Sequence, residues 1–87
     1  MQQFVYKIQD RDGVHARPAG LIITTAGKYK SEIKLTAKGR QIDLKKGGIF
    51  SLMGLGIRYG DEIAVSCNGE DEAEAVIGLK ASFEANL

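Results

Sequence analysis

The segment Gly13-Val14-His15-Ala16-Arg17-Pro18-Ala19 marks the point at which a strand gives way to a helix, and it holds the chain's only histidine and only proline. Proline is best tolerated in the first turn of a helix, where its missing N–H would have no partner, so Pro18 fixes a helix start within a residue or two of His15. The free N–H groups of Ala16 and Arg17 and the positive end of the helix dipole then face the space beside the imidazole. The segment therefore predicts an anion site at a helix start, which the Arg17 guanidinium also reaches.

An imidazole beside such a site can act as a nucleophile, because a ring nitrogen can attack a phosphorus atom while N–H donors hold the oxygens. The alternative is a surface or half-buried histidine next to a solvated arginine, which is the usual place for these side chains. A helix that only needs a cap usually begins with Ser, Thr, Asp or Asn. The combination of His15, Arg17 and Pro18 therefore favours a chemical role.

Length and composition predict one small domain spanning residues 1–87, with room for a modest core and none for a separate substrate or ATP domain. The 12 basic and 11 acidic residues leave a formal charge of +1, which gives no case for nucleic acid or an anionic membrane as a partner. The single cysteine, Cys67, excludes an internal disulfide and is expected in the core, and no Cys/His cluster suggests a metal site. The sequence shows no signal peptide and no bilayer-spanning stretch, so we expect a cytoplasmic protein without membrane insertion.

The first half of the chain predicts three strands and a helix. A strand with one buried face is indicated by the alternation of Phe4, Tyr6 and Ile8, and a helix should run from about Ala16 to Ala26, where Gly27 ends it. Two further strands are indicated by Ile33 with Leu35 and by Ile42 with Leu44, joined by a hairpin turn at Lys38-Gly39.

The second half predicts a short helix over residues 49–53, a strand and a long helix. The strand carries Ile63, Val65 and Cys67 inward, and the acidic residues at 70–72 suit the positive start of the last helix. Its predicted apolar stripe consists of Ala73, Val76, Ile77, Leu79 and Phe83. The order of elements predicts an α+β sandwich with three helices on one face of a mainly antiparallel four-stranded sheet, and the periodicities leave the strand order open.

The segment from Gly13 to Ala19, its distance from the N-terminus, Leu55-Gly56-Ile57 and Gly69-Glu70-Asp71-Glu72 resemble HPr, the histidine phosphocarrier family of the bacterial phosphoenolpyruvate:sugar phosphotransferase system (PTS). The resemblance covers essentially the whole chain. It implies the HPr-like open-faced sandwich with strand order 1-4-2-3.

The resemblance also implies a function for individual residues. His15 would accept a phosphoryl group on Nδ1 from phosphorylated enzyme I and pass it to a sugar-specific EIIA for sugar uptake. Arg17 would balance the charge on the phosphoryl oxygens, the amides of Ala16 and Arg17 would orient them, and Pro18 would set the backbone. Such a protein is a carrier without a cofactor, it is not a stand-alone turnover enzyme, and we expect it to act as a monomer.

Two groups of residues correspond to partner contacts in the family. Ala16, Gly20 and Leu21 lie on the first helix, where small residues let a partner approach closely. If two extra residues are allowed near Lys46-Gly47, then the short-helix residues Ile49, Phe50 and Met53 form a second apolar contact surface. The alternative for this second group is ordinary core packing, and the sequence leaves both open.

The chain departs from the family at a regulatory site. Many HPr proteins of low-GC Gram-positive bacteria carry a kinase-regulated serine after the Leu-Lys that ends the third strand, whereas Leu44-Lys45 is followed here by Lys46-Gly47-Gly48. The nearest serine, Ser51, falls inside the predicted helix, where a phosphate lacks the amides of a helix start. We therefore expect serine regulation to be absent or altered, with Ser51 as a substitute phosphosite for testing.

Two other functions stay open. An HPr-like regulatory paralogue would carry the same His15 motif and would signal through a regulator in place of sugar transport. A non-phosphorylated interaction module would keep the fold alone, although such a module has no physical need for His15 and Arg17 at a helix start.

Overall fold

Segments with alternating buried residues form the strands, and the helices lie in the segments between and after them. In a computed structural model that describes residues 1–87, the strands are β1 (Gln2–Lys7), β2 (Glu32–Ala37), β3 (Arg40–Asp43) and β4 (Glu62–Asn68). The helices are α1 (Ala16–Ala26), α2 (Gly48–Gly54) and α3 (Glu72–Asn86). No helix combines the length and the apolar character needed to cross a membrane.

The four strands form one antiparallel sheet in the order β1-β4-β2-β3, which confirms the strand order that the resemblance implies. Val65 on the central strand β4 stands opposite Phe4 on one side and Leu35 on the other, and Leu35 in turn stands opposite Ile42. Because side chains alternate across a strand, this row of apolar residues lies on one face of the sheet. The hairpin turn between β2 and β3 has positive φ at Lys38 (54°) and Gly39 (75°), as a type I′ turn requires.

Helix α3 packs against β1 and β4 on the apolar face of the sheet, α2 packs against β3, and α1 packs against both other helices. Fully buried Ile22 of α1 and Leu79 of α3 join the same core cluster as the sheet residues. Phe83 meets Phe4 edge to face, with ring centroids 5.9 Å apart at 70°. Burying one such aromatic ring stabilises the fold by about 2–3 kcal/mol. Cys67 is in this core as predicted, and burial raises the pKa of its thiol to about 11.

The structure corrects the predicted buried face of α3. The residues buried on this helix are Ala75, Leu79 and Phe83, whereas Ala73 is exposed and Ile77 is 71% exposed. Residues 75, 79 and 83 repeat every four positions, and a residue two positions away lies about 200° round the helix. The stripe that contains Leu79 therefore cannot contain Ala73 or Ile77. Val76 is only partly buried against the core.

The end of α1 has the predicted position and a different conformation. The helix spans Ala16–Ala26 and Gly27 is its C-cap, with φ −65° and ψ −14°. A glycine is needed at a helix end only where φ is positive. The helix therefore ends here without using the conformational freedom of its glycine.

Candidate functional site

His15 is the N-cap residue of α1, with extended backbone angles of φ −115° and ψ 178°. Its carbonyl oxygen accepts the first hydrogen bond of the helix, from the Ala19 N–H at 2.9 Å. The imidazole makes no capping hydrogen bond to the helix, and its side chain is 42% exposed. Pro18 is buried in the first turn, as predicted. The imidazole is therefore held at a helix start with its ring nitrogens uncommitted to the helix.

The turn that delivers His15 is anchored to the neighbouring loop. The Gly13 N–H donates to the Asp10 carbonyl at 3.0 Å, and the Val14 N–H donates to the Ile57 carbonyl at 3.1 Å. Gly13 has φ +66°, and a Cβ at this position would lie 2.5 Å from the Ile57 carbonyl oxygen. Only glycine fits both the backbone conformation and the close approach. The turn before His15 is therefore set by packing against the loop between α2 and β4.

An open cavity of about 260 Å³ lies beside the imidazole. It is lined by Asp10, His15, Arg17, Pro18, Leu21, Ala85 and Asn86. Four residues that the sequence analysis singled out, namely His15, Arg17, Pro18 and Leu21, thus share one cavity. The backbone N–H groups of Ala16 and Arg17 have no acceptor within the chain. An imidazole and a guanidinium thus line a cavity next to a helix start with free N–H donors, an arrangement that can bind an anionic group such as phosphoryl.

Sequence reasoning missed three residues of this cavity, Asp10, Ala85 and Asn86. Ala85 and Asn86 come from the far end of α3, which at 15 residues is about 22 Å long and reaches back to the start of α1. The chain folds back here through two hydrogen bonds, since the Leu87 backbone oxygen accepts from the N–H groups of Gln9 and Asp10. The length of α3 could have indicated that its end reaches the start of α1. The sequence could not have indicated which residues meet there.

Asp10 and Asp12 place two carboxylates near the imidazole. The Asp10 Oδ2 lies 3.9 Å from the His15 Nε2, and one ligating atom from each of Asp10, Asp12 and His15 falls within 4.8 Å of the others. These three side chains are the only set in the chain that could share a metal ion in this way. Exposed acidic groups commonly gather without an ion, and no further feature of the turn points to one.

The two predicted contact groups lie next to each other. A Cβ on Gly20 of α1 would stand 3.9 Å from the Cδ1 of Ile49 on α2. Leu21, Phe50 and Met53 are exposed by 47%, 86% and 39% respectively. Ala16, the first residue of α1, is also exposed and lies about one turn before Gly20. Gly20 and Ile49 bring the two groups together, and Leu21 also lines the cavity. We call the six residues the α1–α2 patch: Ala16, Gly20, Leu21, Ile49, Phe50 and Met53.

The structure separates the two interpretations of the α2 residues. Ile49 is partly buried and packs against the core, so core packing accounts for part of its surface. Phe50 is almost fully exposed and Met53 more than a third exposed. A contiguous exposed apolar patch on a small protein is typical of a partner contact.

Ser51 lies in the middle of α2, as predicted, and is half-buried. Its hydroxyl lies against Gly47, where any Cβ would clash with it. A phosphoryl group on Ser51 would need more space than the hydroxyl has beside Gly47.

Comparison with known proteins gives consistent results over the full chain. A family model described as the PTS HPr component phosphorylation site matches residues 2–85. The chain is 44% identical to the phosphocarrier protein HPr of Mycoplasma genitalium over 87 residues, which cover 99% of this chain and 97% of that protein.

Solved structures agree with this match. The histidine-containing phosphocarrier protein of a mycoplasma has a TM-score of 0.91 at 32% identity, covering 97% of this chain and 93% of that chain. HPr-C-His from Thermoanaerobacter tengcongensis has a TM-score of 0.90 at 32% identity, covering 99% and 94%. With the strand order, the helix-start histidine and these matches in agreement, the chain belongs to the HPr family of phosphocarriers of the phosphotransferase system.

Proposed function

We propose that this chain accepts a phosphoryl group on the Nδ1 of His15 from phosphorylated enzyme I and passes it to a sugar-specific EIIA in the cytoplasm. One observation carries the proposal: the imidazole at the start of α1 borders an open cavity that it shares with Arg17. In the transfer, the Nδ1 lone pair forms the N–P bond while the bond from phosphorus to enzyme I breaks, and the electron pair of that bond stays on enzyme I. The carrier returns to its starting state when it hands the group on, so it performs no net turnover alone.

Arg17 and the amides of Ala16 and Arg17 bind the phosphoryl oxygens in this proposal. Phosphoryl transfer requires positioning and charge neutralisation more than covalent chemistry from the protein. An open cavity with a few donors suits a carrier, since the group must be held and then released. Pro18 acts by fixing the helix start.

The direct test is intact mass after incubation with a bacterial enzyme I and phosphoenolpyruvate. We expect one added phosphate that is lost in acid and is absent from His15→Ala. Arg17→Ala should slow phosphorylation by about 10- to 100-fold, in line with the loss of one charged donor at an exposed site. Lys80→Ala removes the same charge from an exposed position on α3 and is the matched control.

No added phosphate on a folded wild-type protein, with an active enzyme I control, would contradict the proposal and favour an interaction module. Transfer to a regulatory EIIA in place of a sugar-specific one would favour the regulatory paralogue. A kinase that acts on a Gram-positive HPr should add no mass, because the chain has no serine at the regulatory position. Added mass that Ser51→Ala abolishes would instead make Ser51 a substitute site.

The α1–α2 patch is the proposed docking surface for enzyme I and EIIA. Phe50 is the residue most exposed within it, and exposed aromatic residues often dominate binding. Phe50→Ala should raise the KM for phosphorylation by about tenfold and leave the unfolding free energy nearly unchanged. Ile77→Ala, which removes a large apolar side chain that is 71% exposed on α3, is the control. An equal change in KM for the two substitutions would contradict the proposal that the α1–α2 patch is the docking surface.

A further inference from the structure

Asp10 lies beside the imidazole of His15, on the turn that connects β1 to α1. Its Oδ2 is 3.9 Å from the His15 Nε2, and the two side chains are 30% and 42% exposed. The carboxylate therefore faces one particular ring nitrogen, and the other nitrogen, Nδ1, is left for the incoming group.

The carboxylate of Asp10 is fixed by the turn around it. Its Oδ1 accepts the Asp12 N–H at 2.8 Å, its carbonyl accepts the Gly13 N–H at 3.0 Å, and its own N–H donates to the Leu87 backbone oxygen at 2.7 Å. One carboxylate oxygen is thus committed to the turn and the other is directed at the ring. A carboxylate held in this way keeps its free oxygen close to the ring.

A neutral imidazole carries its proton on one nitrogen, and the hydrogen bond at that nitrogen decides which one. A carboxylate can only accept, so Asp10 favours the form with the proton on Nε2 and the lone pair on Nδ1. The distance of 3.9 Å is longer than a hydrogen bond, but a small rotation of either side chain or one bridging water closes it. Contacts of this kind often shorten when the reacting complex forms.

The charged groups around the ring can balance the charge that phosphorylation creates. When Nδ1 forms its bond to phosphorus, the ring gains positive charge while Nε2 keeps its proton. Asp10 and Arg17 both line the cavity beside the ring, and the carboxylate of Asp10 approaches Nε2. The carboxylate of Asp12 lies in the same turn as that of Asp10, and α3 contributes the uncharged Ala85 and Asn86.

We propose that Asp10 is a positioning residue for His15, because its carboxylate keeps the ring proton on Nε2, leaves Nδ1 as the nucleophile and balances the positive charge that the phosphorylated ring carries. This inference rests on the proposed function of His15. The step is balanced without a further co-reactant: the Nδ1–P bond forms, the bond from phosphorus to enzyme I breaks with its electron pair, and the Nε2 proton stays in place.

Asp10→Asn tests the carboxylate, since asparagine keeps an oxygen that can accept the Asp12 N–H and so preserves the turn. Asp12→Asn is the matched control, because it removes the same charge from the same turn and only Asp10 makes an ion-pair contact with the ring. The first readout is two-bond ¹H–¹⁵N NMR of the labelled imidazole in unphosphorylated protein, in mildly alkaline buffer where imidazoles are neutral. The second is the rate of phosphorylation by enzyme I, with thermal melts to show that both variants fold.

We expect Asp10→Asn to lower the ratio of Nε2–H to Nδ1–H tautomer by about threefold and to slow phosphorylation by about fivefold, as a half-exposed charged pair allows. Asp12→Asn should leave the tautomer ratio at the wild-type value. An unchanged ratio in Asp10→Asn, or an equal rate loss in Asp12→Asn, would overturn the inference. The NMR comparison needs no enzyme I, so it judges Asp10 even if phosphorylation of the wild type fails and the proposed function falls.

Discussion

The two long helices begin in opposite ways. The first turn of α3 contains Glu72 and Glu74, and the Glu72 Oε1 accepts the Gly69 N–H at 3.2 Å. The first turn of α1 contains no acidic residue, and the N–H groups of Ala16 and Arg17 have no acceptor. Because a helix start attracts negative charge, α3 satisfies this preference with its own carboxylates, whereas α1 leaves it free for a bound anion.

Asp71, just before α3, shows how a carboxylate is used when the purpose is structural. It accepts the N–H groups of Lys30 and Ser31 and the Ser31 hydroxyl, which tie the end of the α1–β2 loop to the start of α3. The Ser31 hydroxyl and the Lys30 N–H lower the pKa of Asp71 below its usual range. Asp10 near α1 commits one oxygen to its turn and leaves the other facing an imidazole. The comparison shows that the start of α3 carries its own carboxylates and is bonded to the α1–β2 loop, whereas the start of α1 carries no carboxylate.

The largest expected loss of stability comes from a substitution in the turn before α1. Gly13→Ala should reduce the free energy of unfolding by about 3 kcal/mol, because it adds a steric clash with the Ile57 carbonyl to the strain at positive φ. Gly56→Ala is the control, since Gly56 has nearly the same φ of +64° and nothing within 4 Å. It should lose only about 1 kcal/mol. Urea unfolding of both variants checks this, and equal losses would show that the approach of Gly13 to Ile57 is unimportant.

At the start of α3, removal of one hydrogen bond should lower stability and leave phosphorylation unchanged. Ser31→Ala deletes a buried hydroxyl that donates to Asp71, and we expect a loss of about 1 kcal/mol with phosphorylation unchanged. Ser66→Ala on β4, whose hydroxyl makes no hydrogen bond within the chain, should be nearly neutral. A slower phosphorylation rate in Ser31→Ala would show that the two ends are coupled.

A carboxylate added to the first turn of α1 makes this helix start resemble that of α3. Ala16→Glu places a carboxylate in the first turn of α1 at an exposed position and should stabilise the protein by about 0.5 kcal/mol. The same charge should slow phosphorylation by about tenfold, because it competes for the donors and repels the phosphoryl group. Ala16→Gln controls for side-chain size. If Ala16→Glu were phosphorylated at the wild-type rate, then the free helix start would have no part in the transfer.

Acidification has the smallest expected effect on stability. The pKa of Asp71 is lower in the folded protein than in the unfolded chain, so the unfolded state binds more protons as the pH falls through the acid range. The stabilisation is therefore complete above the ordinary aspartate pKa and is lost progressively as the pH falls toward the lowered value. Unfolding midpoints should fall over this range, and less steeply in Ser31→Ala. Equal pH slopes in the two proteins would contradict the role of the Ser31 hydroxyl.

Local signals in the sequence predicted the part of the site that lies at the start of α1. Pro18 and the His15 context set the start of α1 at the observed residue, because helix starts depend on neighbouring residues. The resemblance supplied the strand order that periodicity could not. Asp10, Ala85 and Asn86 were missed because their approach to His15 depends on how the end of α3 returns to the turn after β1, which is a tertiary contact.

The error on α3 has a related cause. The sequence contains apolar residues at Ala73, Val76 and Ile77 as well as at Ala75 and Leu79, so more than one stripe could face the sheet. Packing against β1 and β4 selected the face with Ala75, Leu79 and Phe83, and left Ile77 exposed. Helix propensity and periodicity do not rank such alternatives, whereas the shape of the core does.

The most direct test of the contrast between the two helix starts is amide NMR of ¹⁵N-labelled protein before and after phosphorylation by enzyme I and phosphoenolpyruvate. We predict that the phosphoryl group is bound to the Nδ1 of His15 and that the amide signals of Ala16 and Arg17 shift strongly as they donate to it. The amide signals at the start of α3, and that of Gly69 just before it, should not shift. Phosphorylation without a shift of Ala16 and Arg17, or with an equal shift at Gly69, would contradict the account of α1 as the free helix start that receives the phosphoryl group.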